Sequence, residues 1–487
     1  ISYLACSPHD SWVIWAGSDD GLVHLTRDEG QSWQNVTPPE LGECLINSIE
    51  VSPHHPATAY VVATRYRFND FTTLIFRTDD FGETWVKTTR GIAPEDFARV
   101  VREDPLREGL LYAGTETGIY ISYSNGRFWH RFQLNLPVCP INDLTIQGND
   151  LIAATSGRGF WMIDDLSFLQ QSAGYLLAKS PQVFRPKNTY RLTTSGGRRL
   201  LNKNPAEGMS IDYYLPPQMD TALAILEILD DRGELIRSYS SKADERYSAY
   251  VGGPSEQPLL ARGYGIHRFQ WDLRRKPIRH LEDVFVLGNY QGALVPPGDY
   301  TLRLIVGDNK YEEVAQVLAD PRMKLSGDAY IAQQELLINI EETIADIHGS
   351  VEMMQDLRAQ MEILAGRLSK LEAQSGLVAK AKGITDQINI WERQLIQPDQ
   401  KTFQDVINFP NRLNAELLDL HNRCDGVDPR VTQGAEDRLA DLVAEWEGLA
   451  EERDLIIFNE MAEFNKLYSE QQLPALFLPD SASGTAW

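Results

Sequence analysis

A short turn motif occurs three times in the first third of the chain. The copies are TRDEGQSW (residues 26–33), TDDFGETW (residues 78–85) and SYSNGRFW (residues 122–129), here called turn motifs 1, 2 and 3. Motif 3 has Ser124 and Phe128 where the others have an acid and a second hydroxyl residue. In a tight β-turn the acid accepts hydrogen bonds from backbone amides, the glycine adopts positive φ, and the tryptophan packs on a sheet. The residues predicted to build these turns are Asp28, Gly30, Trp33, Asp80, Gly82, Trp85, Gly126 and Trp129.

The turn motifs belong to a longer repeat. A Pro-containing turn and a short apolar strand precede each one, at residues 7–17, 52–63 and 103–114. A period of roughly 40–50 residues that holds about four short strands is typical of β-propeller blades. A fourth unit, residues 141–165, has no turn motif. Because propellers have about four to eight blades, we expect a second chain or an upstream fragment to complete a partial propeller.

The turn motifs resemble the Asp-boxes, or bacterial neuraminidase (BNR) repeats, of sialidases and sortilin-like propellers. Residues 135–169, NLPVCPINDLTIQGNDLIAATSGRGFWMIDDLSFL, are similar to the closing stretch of large bacterial sortilin-like proteins of the "glycosyl hydrolase, BNR repeat" type. The resemblance covers residues 1 to about 170, and the order of the later regions matches it less specifically. It implies a secreted protein, extracellular or periplasmic, in which the turn-motif residues lie on outer turns and are structural.

A second β region follows the repeats. Asp-Arg-Gly and Gly-Asp-Asn supply hairpin turns between short strands, a pattern typical of an immunoglobulin- or fibronectin-like β-sandwich. Such a module is more often a spacer or interaction module than a catalytic one. The predicted strand segments are residues 211–216, 222–239, 265–273 and 296–318.

From about residue 327 the apolar residues recur at spacings of three and four. This spacing predicts an amphipathic helix of more than 40 residues in near-heptad register. Further helices are predicted at about 377–397, 410–424 and 430–468. Helices of this length need partners, so we expect an antiparallel helical bundle, a coiled coil or a long helical hairpin.

The whole chain is therefore predicted to be multidomain, mainly β and then α. Its 487 residues are too many for one hydrophobic core. The predicted divisions are a partial propeller at residues 1–172, a sandwich at 183–322, a helical region at 327–470 and a tail at 471–487.

Charge and cysteine content exclude several classes of function. The net charge of −23 disfavours nucleic acid and anionic lipid as partners. No apolar run approaches the length of a transmembrane helix. Cys6, Cys44, Cys139 and Cys424 are too few for a disulfide scaffold, and free buried thiols are the favoured state. No Cys/His cluster is present, so neither a metal nor a cofactor is expected.

The stretch GRGFWMIDD (residues 157–165) is the most site-like part of the sequence. It combines a cation, two aromatic side chains, paired carboxylates and glycines that let a backbone approach a ligand. The alternative is that it closes the last blade, with the arginine paired to an acidic neighbour. The candidate ligand-binding residues here are Arg158, Phe160, Trp161, Asp164 and Asp165.

A sialidase-type site would need three arginines that converge on a substrate carboxylate, because guanidinium groups bind both oxygens of a carboxylate. Arg65 and Arg67 are the arginines retained as candidate ligand-binding residues. The other residues considered for such a site are Arg99, Arg102, Tyr66, Glu103 and Asp104. None of these residues lies in a sialidase motif context, so no catalytic residue is assigned.

Three functions stay open from the sequence. The first is a non-catalytic secreted scaffold that binds protein or peptide and takes part in assembly, with the helices suited to oligomerisation. The second is a sialidase-like glycoside hydrolase whose site is shared with missing blades. The third is an architectural subunit of a cell-surface assembly. Converging arginines around a central pocket would favour the enzyme, and an apolar or mixed groove would favour the binding scaffold.

Overall fold

The structure, a computed structural model, describes residues 1–172, 180–192, 207–219, 221–371 and 375–473. The chain consists of β-sheets followed by a helical region and divides into two compact units. The first unit comprises Ile1–Lys179 and Phe184–Lys187, and the second comprises Ser180–Val183 and Asn188–Trp487. The predicted tail lies outside the described residues from residue 474 onward.

Four antiparallel sheets form the first unit, and the strands of each sheet follow one another in chain order. Sheet 1 contains β1 (Tyr3–Cys6), β2 (Ile14–Gly17), β3 (Val23–Thr26) and β4 (Gln34–Asn35). Sheet 2 contains β5 (Leu45–Val51), β6 (Ala59–Arg65), β7 (Asp70–Thr78) and β8 (Val86–Lys87). Sheet 3 contains β9 (Ala98–Glu103), β10 (Leu111–Thr115), β11 (Ile119–Ser122) and β12 (His130–Arg131). Sheet 4 contains β13 (Ile141–Gln147), β14 (Asp150–Thr155) and β15 (Phe160–Ile163), and is followed by the short helix α1 (Ser167–Gln171).

Apolar layers lie between successive sheets of this unit. β6 reads as a continuous apolar run, and it is buried from Ala59 to Thr64 because sheet 2 is covered on both faces. The first strands of the four sheets contact one another in order, β1 with β5, β5 with β9, and β9 with β13. Three four-stranded meanders and one three-stranded meander that meet along their first strands make the first unit propeller-like.

Two sheets begin the second unit and share one hydrophobic core, which includes Ile211, Leu226, Trp271 and Leu302. The structure places strands in all four predicted segments. One sheet has the order β16-β18-β21 and the other has the order β17-β23-β22-β19-β20. Their strands are β16 (Gln182–Val183), β17 (Thr189–Tyr190), β18 (Met209–Leu215), β19 (Ala224–Leu229), β20 (Leu235–Ser240), β21 (Gly265–Trp271), β22 (Gly298–Val306) and β23 (Asn309–Leu318). The immunoglobulin- or fibronectin-like topology stays a prediction.

The helical region follows the predicted periodicity. α2 has 42 residues, and its buried face carries Ile340, Ile344, Val351 and Met354. A π-helical segment, Ile456–Met461, joins the last two helices. Within the described residues, no helix has the length and apolar character needed to cross a membrane. The helices are α2 (Gly327–Leu368), α3 (Ser375–Leu395), α4 (Leu413–Cys424), α5 (Gln433–Leu455) and α6 (Ala462–Glu470).

The β-sheets and helices of the second unit are joined by a buried connection. Ile278, Val286 and Tyr290, from the segment between β21 and β22, pack in the core of the helices. Arg274 also forms an ion pair with Asp425, which follows α4. The two regions therefore belong to one compact unit, and the predicted boundary between domains at residues 322–327 stays a prediction.

Candidate functional site

Turn motifs 1 and 2 have the same hydrogen-bond geometry. In motif 1, Asp28 accepts bonds from the Thr26 hydroxyl at 2.8 Å and from the Ser32 amide at 2.9 Å. The Gly30 amide donates to Thr26 Oγ1 at 2.8 Å, and Gly30 has a φ of +89°. In motif 2, Asp80, Thr78 and Gly82 repeat this arrangement. In motif 3, Ser124 accepts a weaker 3.2 Å bond from the Phe128 amide.

The tryptophans of motifs 2 and 3 bind the sheet that precedes their own. Trp85 Nε1 donates to the Val36 carbonyl at 2.8 Å, and Trp129 Nε1 donates to the Thr88 carbonyl at 2.8 Å. Val36 and Thr88 each follow the last strand of the preceding sheet. Trp33, by contrast, is 44% exposed, and its indole nitrogen has no hydrogen-bond partner among the described residues.

The glycines of motifs 2 and 3 also lie against the preceding sheet, whereas the glycine of motif 1 does not. A Cβ on Gly82 would lie 2.7 Å from Cβ of Val36, and one on Gly126 would lie 3.2 Å from Thr88. A Cβ on Gly30 would approach only the ring of Trp33, at 3.7 Å. Turn motifs 2 and 3 are therefore packed between sheets, whereas motif 1 has no such neighbour in the part of the chain described.

A charged network lies where the four first strands meet. Arg102 on β9 donates to the Tyr3 hydroxyl on β1 at 3.1 Å and to Asp143 on β13 at 2.7 Å, and it pairs with Glu50 on β5 at 3.4 Å. It also donates to the Leu144 carbonyl at 2.8 Å. One side chain thereby joins all four sheets. The network borders a cleft of about 420 Å³, here called the central cleft.

The electrostatics of the central cleft are dominated by Glu50. Burial raises the pKa of Glu50 to about 7, although the guanidinium of Arg102 and the Glu103 amide act in the opposite direction. Burial also opposes the charge of Arg102, but Glu50, Tyr3 and Asp143 together raise its pKa above the ordinary value. Glu50 can therefore hold a proton near neutral pH, while Arg102 is occupied by protein partners.

The arginines considered for a sialidase-type site do not converge. Arg65 donates to the Leu41 carbonyl and lies 3.5 Å from Asp70. Arg67 is exposed in the turn after β6, with its guanidinium 5.8 Å from the ring of Tyr66. Arg99 forms two hydrogen bonds with Glu116, at 2.9 and 2.6 Å. Of this set, Arg102 alone lies in the central cleft as far as the structure describes the chain.

Glu103 and Asp104 have structural partners. Glu103 is buried and accepts a bond from the Gly109 amide at 3.0 Å. Asp104 is fully buried and accepts bonds from the amides of Leu106 and Arg107, both at 2.9 Å. Both carboxylates thus hold the turn after β9.

The predicted stretch 157–165 forms β15 and its flanking turns. Phe160 is 82% exposed, and Trp161 is half-buried with Nε1 donating to the Arg158 carbonyl at 3.1 Å. No carboxylate of the described residues lies within ion-pair distance of Arg158, so the expected pairing with an acidic neighbour is absent there. Asp165 accepts bonds from Asn149 and from the Ser167 amide, both at 2.9 Å.

Of the candidate arginines, Arg65 ends β6 of sheet 2 and Arg67 lies in the turn after it, whereas the stretch 157–165 belongs to sheet 4. Within that stretch, the Asp164 carbonyl accepts a 3.3 Å bond from Lys187. Neither Arg65 nor Arg67 is linked to the stretch 157–165 by a hydrogen bond or ion pair that the described residues make.

β15 borders an apolar groove. The groove lies between β14–β15 and the segment after β12, and we call it the β15 groove. Met162 is 54% exposed and points to the same face of the strand as Phe160, because the two residues are two positions apart. The apolar lining of the groove includes Phe132, Leu134, Leu136, Leu151, Trp161 and Ile163. The groove has a volume of about 40 Å³, and its mainly apolar lining, with Gln133 and Asn135 as the polar members, offers few groups to a sugar or an anion.

The sequence reasoning found Arg102 but missed Tyr3, Glu50 and Asp143. These residues lie on three strands that are far apart in the sequence, so no local spacing connects them. The usable signal is a charged residue inside an otherwise apolar strand, as in LINSIEV for Glu50 and ARVVRE for Arg102. No group of three or more His, Cys, Asp or Glu side chains that could hold a metal ion occurs among the described residues.

Comparisons with known proteins give remote likenesses. No family model and no curated protein sequence matches the chain. Among solved structures, YCF48 bound to D1 peptide is 19% identical with a TM-score of 0.26, over 33% of this chain and 50% of that one. The GH74 xyloglucanase from Xanthomonas campestris is 13% identical with a TM-score of 0.27, over 66% of this chain and 45% of that one. The chain thus spans about half of each, and TM-scores this low carry no argument about function.

Proposed function

We propose that the chain is a non-catalytic, secreted scaffold of the sortilin-like, Asp-box propeller type that binds protein or peptide. The observation that carries this proposal is the last strand of sheet 4, with which no further strand pairs among the residues that the structure describes. Phe160 and Met162 project from β15 into solvent beside the β15 groove. Exposed apolar side chains beside an apolar groove are typical of a polypeptide interaction site. Of the predicted binding residues, Phe160 belongs to the exposed face of β15, and Trp161 lines the β15 groove.

In the same proposal the turn-motif residues have a structural role, and a further sheet packs against sheet 1. Trp85 and Trp129 each bind a carbonyl of the preceding sheet, and Trp33 presents an equivalent donor. We therefore expect a further sheet to pack on turn motif 1. This sheet would come from a second chain or from another fragment of the same gene product, and it would extend the propeller.

A glycoside hydrolase is the second candidate function. A carboxyl group that stays protonated near neutral pH suits a general acid, and Glu50 in the central cleft is such a group. The sialidase version of this hypothesis has less support. Arg102 is bound by three side chains and by the carbonyls of Leu144 and Val101, and the other arginines considered point elsewhere.

Peptide binding is tested by selection from a displayed library of random 12-residue peptides against the full chain. We expect enriched apolar, extended sequences whose binding is at least tenfold weaker with the double variant Phe160→Ser/Met162→Ser. The matched control is Leu106→Ser/Val86→Ser, which changes two exposed apolar residues of the same unit away from β15. Failure to enrich any peptide, or equal loss with both variants, would contradict the proposed binding function.

The enzyme alternative is tested with a panel of 4-methylumbelliferyl glycosides that includes a sialoside. The scaffold proposal predicts no hydrolysis above background. Hydrolysis by the wild-type chain that disappears in Glu50→Gln would instead establish the second candidate. The architectural alternative predicts stable oligomers of the chain, which sedimentation velocity measures directly.

A further inference from the structure

Sheets 1, 2 and 3 each have a fourth strand at their outer edge. In each case a two-residue strand pairs antiparallel with the third strand of its sheet. β4 pairs with Leu25 and His24, β8 with Arg77 and Phe76, and β12 with Ile121 and Tyr120. In sheet 4 no fourth strand pairs with β15 among the described residues.

The pairing register identifies the equivalent positions on β15. Leu25 lies opposite Trp15, Arg77 opposite Tyr60, and Ile121 opposite Tyr112. Two positions earlier on these third strands, Val23 lies opposite Gly17, Ile75 opposite Val62, and Ile119 opposite Gly114. Met162 and Phe160 occupy these two positions on β15, opposite Ile152 and Ala154. The vacant edge therefore runs along Phe160, Trp161 and Met162.

Backbone hydrogen bonds in the other sheets indicate which amide and carbonyl groups of β15 face this edge. In the first three sheets, the residue after the short fourth strand donates its amide to the third strand. The bonds are Val36 to Val23 at 2.9 Å, Thr88 to Ile75 at 2.8 Å and Phe132 to Ile119 at 2.8 Å. The equivalent acceptor in sheet 4 is the Phe160 carbonyl. Because backbone groups of a strand alternate in direction, the amide and carbonyl of Met162 face the same edge.

We propose that β15 accepts an extended segment of a partner polypeptide, which adds antiparallel as the fourth strand of sheet 4. This proposal rests on the proposed peptide-binding function and specifies how the peptide binds. Two residues of the segment pair with Met162 and Trp161, and the third donates its amide to the Phe160 carbonyl. Main-chain hydrogen bonds to an open sheet edge supply affinity, and pockets for alternate side chains supply specificity.

The sister sheets also define the side chains that fit. The first two residues of each fourth strand are exposed, as in Gln34, Asn35 and Lys87. The third residue, Val36 or Thr88, is buried. The equivalent residue of sheet 3, Phe132, is half-buried. The preferred segment therefore has solvent-facing residues at its first two positions and, at the third, a residue whose side chain can be buried. An uncovered strand edge beside exposed Phe160 and Met162 also calls for such a cover, because open edges promote unspecific association.

The experiment uses a synthetic peptide with the sequence ETWVKTTRG, residues 83–91 of this chain, which contains the fourth strand of sheet 2. Binding to the full chain is measured by isothermal titration calorimetry and by chemical shifts of the Met162 amide. Two N-methylated peptides provide the matched pair. Methylation at Thr88 removes the amide that donates to the third strand, whereas methylation at Lys87 modifies the amide that faces away from it.

We expect the unmodified peptide and the N-methyl-Lys87 peptide to bind within about threefold of each other, and the N-methyl-Thr88 peptide to bind at least tenfold more weakly. On the protein side, Met162→Pro removes the amide that faces the edge, while Met162→Thr retains it. The Met162→Pro variant should bind at least tenfold more weakly than the Met162→Thr variant, because both lose the methionine side chain and only Met162→Pro also loses the amide.

Equal binding of both methylated peptides, or no binding of the unmodified peptide at millimolar concentration, would overturn strand addition. Such a result would leave the proposed function in place if the displayed library still yields peptides that depend on Phe160 and Met162. Failure of that selection would instead remove the proposed function. Since the peptide variants leave the protein unchanged, a folding defect in Met162→Pro cannot obscure the outcome.

Discussion

The indole nitrogen of Trp129 donates a 2.8 Å hydrogen bond to the carbonyl oxygen of Thr88, which lies at the end of the preceding sheet. Trp85 makes the same bond to Val36, one sheet earlier. The turn motif therefore acts between sheets as well as within its own hairpin. Its aspartate and glycine shape the turn, and its tryptophan fastens that turn to the neighbour. Trp33 has the same motif around it but is exposed to solvent.

Replacing Trp129 by Phe should destabilise the chain. The substitution leaves the carbonyl of Thr88 without its donor and removes part of a fully buried ring, so we expect a loss of about 2–4 kcal/mol in the free energy of unfolding. Trp33→Phe should cost less than about 0.5 kcal/mol, because Trp33 is exposed and has no acceptor in the described residues. Urea unfolding followed by circular dichroism measures both. Similar losses for the two variants would contradict a role of the tryptophans between sheets.

Asp80→Ala should loosen turn motif 2. Hydrogen bonds from Thr84 and Thr78 hold the pKa of the Asp80 carboxyl below its ordinary value, even though partial burial acts against this. A carboxyl whose folded pKa is lowered stabilises the turn at neutral pH, and this contribution is lost as the pH falls through the folded pKa. Hydrogen exchange of the amides in residues 78–85 should therefore be faster in the variant at pH 7, and the difference should shrink as the pH falls through the lowered pKa of Asp80.

Motif 3 provides the reverse experiment. Ser124 stands where the other motifs have an acid, and it accepts a single long bond from Phe128. Ser124→Asp should slow hydrogen exchange in residues 122–129 at pH 7, because the carboxylate supplies a stronger acceptor. An unchanged or faster exchange rate would show that the aspartate is not what orders these turns.

Local patterns predicted most of the secondary structure. The turn motifs mark three hairpins, and the apolar spacing predicts α2 to within a few residues, because both depend on neighbours in the sequence. The environment of each motif could not be predicted in this way. Turn motifs 1 and 2 share the pattern Thr-x-Asp-x-Gly-x-Ser/Thr-Trp, yet Trp85 has an acceptor and Trp33 has none among the described residues. What differs is the presence of a preceding sheet, which the motif itself does not encode.

The central cleft could not be predicted for a related reason. Arg102 meets Tyr3, Glu50 and Asp143 because the first strands of four repeats converge, and each partner lies 41 or more residues away. The sequence gives the identity of the charged residue but not its partners. The edge of β15 is a similar case. That no fourth strand pairs with it in the described part of the chain becomes visible by comparing the registers of four sheets rather than by examining one strand.

Glu50→Gln should change how stability depends on pH. The folded pKa of Glu50, about 7, exceeds the ordinary value of 4.5 because the carboxyl is buried. The folded state therefore holds a proton that the unfolded state has released, and stability falls as the pH rises from about 4.5 to about 7. The variant lacks this penalty. Relative to wild type, it should gain on the order of 1–3 kcal/mol between pH 5 and pH 8.

Thermal unfolding of both proteins at pH 5, 6.5 and 8 measures this difference. The attraction between Arg102 and ionised Glu50 is already contained in the folded pKa of about 7. Other effects of the substitution are the same at every pH, so the comparison is made on the trend between pH values. Parallel curves for wild type and Glu50→Gln would show that Glu50 titrates as an ordinary exposed carboxyl.

Asp425 should be essential for the connection between the sheets and helices of the second unit. Its carboxylate pairs with Arg274 and accepts a 2.9 Å bond from the Leu294 amide, and both charged side chains are largely buried. Removing one partner of a buried pair leaves an uncompensated charge, so Asp425→Ala should cost about 3–5 kcal/mol. Asp428→Ala is the matched control, because its pair with Arg430 is more exposed and is worth less than about 1 kcal/mol.

Differential scanning calorimetry shows whether the β-sheets and the helices of the second unit unfold in one cooperative transition or in two independent ones. If the ion pair joins the β-sheets and helices into one cooperative unit, Asp425→Ala should broaden or split the unfolding transition that Asp428→Ala leaves intact. Two transitions already present in the wild-type chain, unaffected by Asp425→Ala, would instead support the predicted division into a sandwich and a separate helical domain. The Arg191 side chain, which donates to Gln333 at 2.7 Å and to the Gly426 carbonyl at 2.9 Å, favours the cooperative result because it spans the same boundary.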